Sequence, residues 1–128
     1  MTVSDAAFGN GNGQTTNTIS ASALSAIGGK TTGTVTVSNA VKIVGSQAQV
    51  TGALVTTSTL VAAGTAVVSI NDAAFGNGNG QTTNTVSASA LSAIGGKTTG
   101  TVTLLNKVKI QGNKSEVTAA LVTTSTLV

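Results

Sequence analysis

The segment Asp5–Thr18, DAAFGNGNGQTTNT, returns letter for letter as Asp72–Thr85, 67 residues further along the chain. Residues 1–61 align with 68–128 without a gap and differ at 14 positions. A duplication of this length constrains the fold more than any other feature. Each unit must present an apolar face that its neighbour covers, as in repeat architectures. The expected organisation is a first repeat over 1–67 and a second, truncated repeat over 68–128.

A smaller unit recurs inside each copy. Thr-Thr-x-Thr followed by an aliphatic residue begins at Thr15, Thr31, Thr56, Thr82, Thr98 and Thr123. Each instance starts twelve residues after an aliphatic position (Val3, Ile19, Val44, Ile70, Val86), with Gln111 the one exception. Steps of 16, 25 and 26 residues separate successive units and make up the 67-residue period. Read as one coil per step, this predicts a mainly β solenoid of tandem coils, α/β in type, with short helices on one edge. The threonine quartets then stack in register as rungs.

Within the coil 31–55, residues 31–37 are β-branched and alternate with period two, and Val41-Lys42-Ile43 alternates again after a Ser38-Asn39 turn signal. Val35, Val37, Val41 and Ile43 are predicted to face inward and residues 40, 42 and 44 to face solvent. The copies support this, because Ala40 and Val44 become Lys107 and Gln111 while Val41, Lys42 and Ile43 persist as Val108, Lys109 and Ile110. Ser46-Gln47-Ala48-Gln49 has the form of a capping box, and Asn113-Lys114-Ser115-Glu116 is a second spelling of it, so a short helix is expected to end near Leu54 and Leu121. Ser20–Ile27 reads as another helix, with Leu24 and Ile27 on one side and Gly28-Gly29 closing it. Residues 6–13 hold too many Gly and Asn to sustain a helix and read as a loop anchored by Phe8.

Composition excludes most chemistry. The chain has no His, Cys, Pro, Trp or Tyr, six Lys, and three carboxylates in Asp5, Asp72 and Glu116. A hydroxyl nucleophile needs a base, and general acid–base work, soft-metal ligation and thiol chemistry need side chains that are missing or scarce. The chain is therefore not expected to be an enzyme, and neither a metal site nor a cofactor is expected. The net charge of +3 comes from scattered lysines with no arginine or stacking aromatic, which argues against nucleic acid. The least charged stretch, Gln49–Asn71, is broken by Thr, Ser and Gly and does not read as a membrane span. Gly9–Gly13 lacks the spacing of a phosphate loop and the carboxylates of a calcium loop, and reads as a tight turn. Lysines 30, 42, 97, 107, 109 and 114 read as solvated positions that keep strand edges soluble.

Two functional readings remain. In the solenoid the second and fourth threonines of each quartet would form an outer face: Thr16 with Thr18, Thr32 with Thr34, Thr57 with Thr59, Thr83 with Thr85, Thr99 with Thr101 and Thr124 with Thr126. Such rows resemble the threonine arrays of ice-binding β-solenoid proteins, which implies a surface-recognition module. The chain as a whole, with the pattern Val-Ser-Ala-x-x-Leu-x-x-Ile-x-Gly-Lys-Thr-Thr-Gly-Thr-Val at Val86–Val102, resembles tandem repeat regions of giant secreted or cell-surface proteins of bacteria, cyanobacteria among them. That resemblance implies an extracellular spacer, scaffold or adhesin stalk. The expected partners are neighbouring repeats and the chain itself, through end-to-end stacking or domain swapping.

Overall fold

A computed structural model of the chain describes residues 1–9, 18–59, 61–76, 85–123 and 128. In order they form β1 (Thr2–Val3), β2 (Thr18–Ser20), α1 (Ala21–Gly28), β3 (Val35–Val37), β4 (Lys42–Gly45), α2 (Gln47–Leu54), a 3₁₀ turn (Thr57–Thr59), β5 (Val61–Ala62), β6 (Val67–Ile70), β7 (Thr85–Ser87), α3 (Ala88–Gly95), β8 (Val102–Leu104), β9 (Lys109–Gln111) and α4 (Lys114–Leu121). The duplication is carried into structure: β2, α1, β3, β4 and α2 of the first repeat return 67 residues later as β7, α3, β8, β9 and α4. By the same offset β1 corresponds to the end of β6.

Local chemistry fixes the helices. Ser46 accepts the Gln49 N–H at 3.3 Å while Gln49 Oε1 accepts the Ser46 N–H at 2.9 Å. Asn113 and Glu116 reproduce this reciprocal pair at 3.0 and 2.9 Å. Both predicted capping boxes are thus present, and both helices end at the expected leucines. The alternation in the strands also holds: Val35 and Val37 are buried about an exposed Thr36, and Val41 and Ile43 are buried about a half-buried Lys42.

Among the described residues all strand pairing is parallel, in sheets ordered β1-β3-β5, β2-β4-β6-β8 and β7-β9. The helices pack successively, α1 on α2, α2 on α3 and α3 on α4. This overturns the expected mainly β solenoid. Among the described residues the fold is α/β, 32% helical and 25% strand, with separate parallel sheets and no closed solenoid. The reason lies in the quartets. The Gly33 N–H is taken by Thr31 Oγ1 at 3.1 Å and the Gly100 N–H by Thr98 Oγ1 at 3.0 Å. These side-chain bonds compete with ladder pairing, so residues 31–34 and 98–101 stay outside the strands that follow them. Strands of two to four residues are left, and the eight-residue helices carry much of the core.

That core runs from Leu24 and Val35 through Ile43, Val50, Leu54, Val68 and Ile70 to Leu91 and Ile94, all at most 1% exposed. β6 is its pivot: it lies between β4 of the first repeat and β8 of the second, and its last three residues are buried whichever face they point to.

Candidate functional site

Among the described residues, the threonines proposed for an outer face fall in several different elements. Thr18 and Thr85 are exposed at the starts of β2 and β7, in different sheets. Thr32, Thr34, Thr99 and Thr101 are exposed in the non-strand stretches before β3 and β8. Thr57 is exposed and opens the 3₁₀ turn that Thr59 closes. Thr16, Thr83, Thr124 and Thr126 lie outside the described residues. Among the described residues 31–34 and 98–101 lie just before the strands β3 and β8 and not within them, although the Thr101 carbonyl accepts the Val68 N–H at 2.8 Å. What the first repeat does assemble is a depression of about 170 Å³ lined by Gly28, Thr31, Thr32, Gly33, Thr34 and Thr57.

In the second repeat the same place is filled. The turn Ala63–Ala66 between β5 and β6 seats against Thr98, Thr99 and Gly100. Thr99 donates to the Gly64 carbonyl through its N–H at 2.8 Å and through Oγ1 at 3.0 Å. Thr98 Oγ1 donates to the Ala66 carbonyl at 2.5 Å. Gly100 fits because it has no side chain: a Cβ there would overlap the Ala66 carbonyl oxygen, with the Ala66 carbon at 2.7 Å and the Val67 nitrogen at 3.1 Å. At Gly33 a Cβ would meet only Thr31 Oγ1, at 3.7 Å. The quartet at 98–101 is therefore a clamp for a backbone turn, and at 31–34 the Met1 ammonium donates to the Thr34 carbonyl at 3.1 Å.

A second contact crosses the same seam. Asp72 Oδ2 accepts the N–H of Gln47, the first residue of α2, at 2.6 Å, placing a carboxylate at a helix N-terminus. Gln47 Oε1 in turn accepts the Ser87 N–H at 3.3 Å, tying α2 to the start of α3. The Phe loops act as local anchors. Phe8 N–H donates to Ala40 at 2.9 Å and Phe75 N–H to Lys107 at 2.7 Å, and Lys42 and Lys109 place their ammonium groups 5.1 and 5.9 Å from the Phe8 and Phe75 ring centres. Gly9 and Gly76 follow with φ of 67°, the left-handed conformation a side chain resists. The rest of the Gly9–Gly13 turn lies outside the described residues.

These groups hold backbone; they do not assemble reactive side chains. Among the described residues no group of three or more His, Cys, Asp or Glu side chains converges, and no helix is long and apolar enough to cross a membrane. Sequence reasoning singled out Asp72 only as a lone carboxylate and overlooked the first threonine of the quartet, Thr98. Both belong to the seam. Their signal was in the verbatim duplication: a charge or hydroxyl repeated at the period has a partner available at the same period. No protein-family model, curated protein or solved structure matches the chain.

Proposed function

We propose that this chain is a structural tandem-repeat module, a spacer, scaffold or adhesin-stalk segment of a large extracellular surface protein, and that it has no catalytic activity. The observation that supports the reading is the seam. Its polar side chains, Thr98, Thr99, Asp72 and Gln47, make their bonds to the backbone of the adjoining repeat at 2.5 to 3.3 Å. A module whose side-chain chemistry joins it to its neighbour has rigidity as its product. Energy deposited in such a chain is shared between adjacent repeats, so stability grows with the number of junctions.

The test is a series of chains with two, three and four 67-residue repeats. Small-angle scattering is expected to show the longest dimension growing by a constant increment per repeat, with the melting temperature rising as junctions are added. Independent melting of each repeat at an unchanged temperature contradicts the spacer reading, as does any partner that saturates one repeat without its neighbours.

A further inference from the structure

The two repeats build one framework and carry different side chains on it. In the first, Ser38 N–H donates to the Val3 carbonyl at 3.1 Å, Asn39 Nδ2 to the Asp5 carbonyl at 2.7 Å and Phe8 N–H to the Ala40 carbonyl at 2.9 Å. In the second, Leu105 N–H donates to the Ile70 carbonyl at 2.9 Å, Asn106 Nδ2 to that of Asp72 at 2.7 Å and Phe75 N–H to that of Lys107 at 2.7 Å. The backbones correspond, but Ser38 becomes Leu105 and Ala40 becomes Lys107. Beside them Lys109 holds its ammonium 5.9 Å from the Phe75 ring centre. Leu105 is 53% exposed and Phe75 38%, and Lys107 and Lys109 are exposed as well. The second repeat thus presents two large apolar side chains and two ammonium groups where the first presents one of each.

This exposure belongs to the position within the repeat. The counterpart strands β3 and β4 each have a strand on both sides, and there Ser38 is still exposed and Phe8 and Lys42 are half-buried. A leucine alone on a surface needs no explanation, but one set beside an exposed phenylalanine and two cations has a chemistry of its own. The carboxylates of this repeat are engaged elsewhere: Asp72 Oδ2 accepts the Gln47 N–H at 2.6 Å, and Glu116 Oε2 accepts the Asn113 N–H at 2.9 Å. A partner for the patch therefore has to supply negative charge and hydrocarbon together.

We infer that Leu105, Phe75, Lys107 and Lys109 form a contact for an anionic lipid surface. The two ammonium groups meet headgroup phosphates, and Leu105 and Phe75 reach the boundary between headgroups and acyl chains. An anionic polysaccharide would satisfy the lysines and leave Leu105 in water. A peptide helix docks by laying its apolar face in a groove, whereas Leu105 stands outward with more than half of its surface in solvent. A bilayer needs no groove, because apolar tips enter it while the flanking lysines stay at the surface. The contact is peripheral and calls for no membrane-spanning helix. It goes beyond the spacer reading and does not rest on it.

The duplication supplies the control. Leu105→Ser with Lys107→Ala gives the second repeat the residues that the same framework already carries in the first, so this variant should keep its circular dichroism spectrum. In co-sedimentation, the unmodified chain should bind vesicles made of equal parts phosphatidylcholine and phosphatidylglycerol. The double variant should partition onto them about tenfold more weakly. Vesicles of phosphatidylcholine alone should bind neither chain. The sequence has no tryptophan, so Leu105→Trp places a single reporter in the patch. Its emission should shift to the blue with the mixed vesicles and stay unchanged with polyglutamate. No binding to the mixed vesicles, equal binding of the double variant, or equal binding to phosphatidylcholine alone overturns the inference. A blue shift with polyglutamate overturns it as well, by assigning the patch to an acidic protein segment. Each of these results leaves the spacer reading standing, since that rests on contacts between repeats.

Discussion

Helices α1 and α3 have the same eight letters, ASALSAIG, yet Ile94 is wholly buried in α3 and Ile27 only half-buried in α1. The difference is position along the array. Among the described residues α3 packs against both α2 and α4, whereas α1 packs against α2 and the 3₁₀ turn at Thr57–Thr59. The comparison teaches that burial here belongs to the junction and not to the segment. An identical sequence is buried where two helices flank it and half-buried where one does, so each repeat's stability depends on its neighbours.

The sharpest way to break this comparison is to truncate both isoleucines. Ile94→Ala empties a fully buried site and is expected to cost about 2–5 kcal/mol. Ile27→Ala removes side chain already in contact with water and should cost about half as much. Chemical denaturation of the two variants measures the gap. Equal costs would mean that the end of the molecule is as well packed as its middle.

A second pair sharpens the picture at the clamp. Gly100→Ala drives a methyl group into the Ala66–Val67 backbone, which cannot yield as a flexible side chain could, and should cost about 1–3 kcal/mol. Gly33→Ala, where a Cβ would meet only Thr31 Oγ1 at 3.7 Å, should stay within about 0.5 kcal/mol. Guanidinium titrations that find both substitutions harmless would show that the turn at Ala63–Ala66 is loosely held.

How much of this was legible in the sequence follows from the range of each interaction. Capping boxes were readable because both partners lie three residues apart, as in Ser46 with Gln49. The inward set Val35, Val37, Val41 and Ile43 was readable because alternation is local. The assignment of Thr31–Thr34 to a strand failed for a reason that is also local: threonine has high β propensity, but its hydroxyl also takes a nearby N–H, here that of Gly33. The clamp on Gly64 and Ala66 was not legible, because Thr98 and Ala66 are 32 residues apart. A period of 67 shows that repeats meet without showing which backbone groups do.

Asp72 and Asp5 give a third comparison, smaller in scale. Removing the Asp72 carboxylate leaves the Gln47 N–H without its 2.6 Å partner, and Asp72→Ala is expected to cost about 0.5–2 kcal/mol. Asp5 is exposed, so Asp5→Ala should change stability by less than about 0.5 kcal/mol in dilute solution. Thermal melts of the two variants measure the contrast, and equal losses would show that the Asp72 carboxylate adds nothing at the seam.

The smallest expected difference is the one between the two capping boxes. Ser46→Ala and Asn113→Ala each remove an acceptor three residues from its donor, and no atom of the adjoining repeat takes part in either reciprocal pair. Each should cost about 1 kcal/mol, and the two should agree within about 0.5 kcal/mol, even though among the described residues α2 packs on two helices and α4 on one. Agreement would show that end effects reach only interactions that cross a junction. A clearly smaller cost at Asn113, with early loss of helix signal in denaturation, would show instead that α4 unfolds before the rest, because a cap on a segment already open cannot contribute to the global transition.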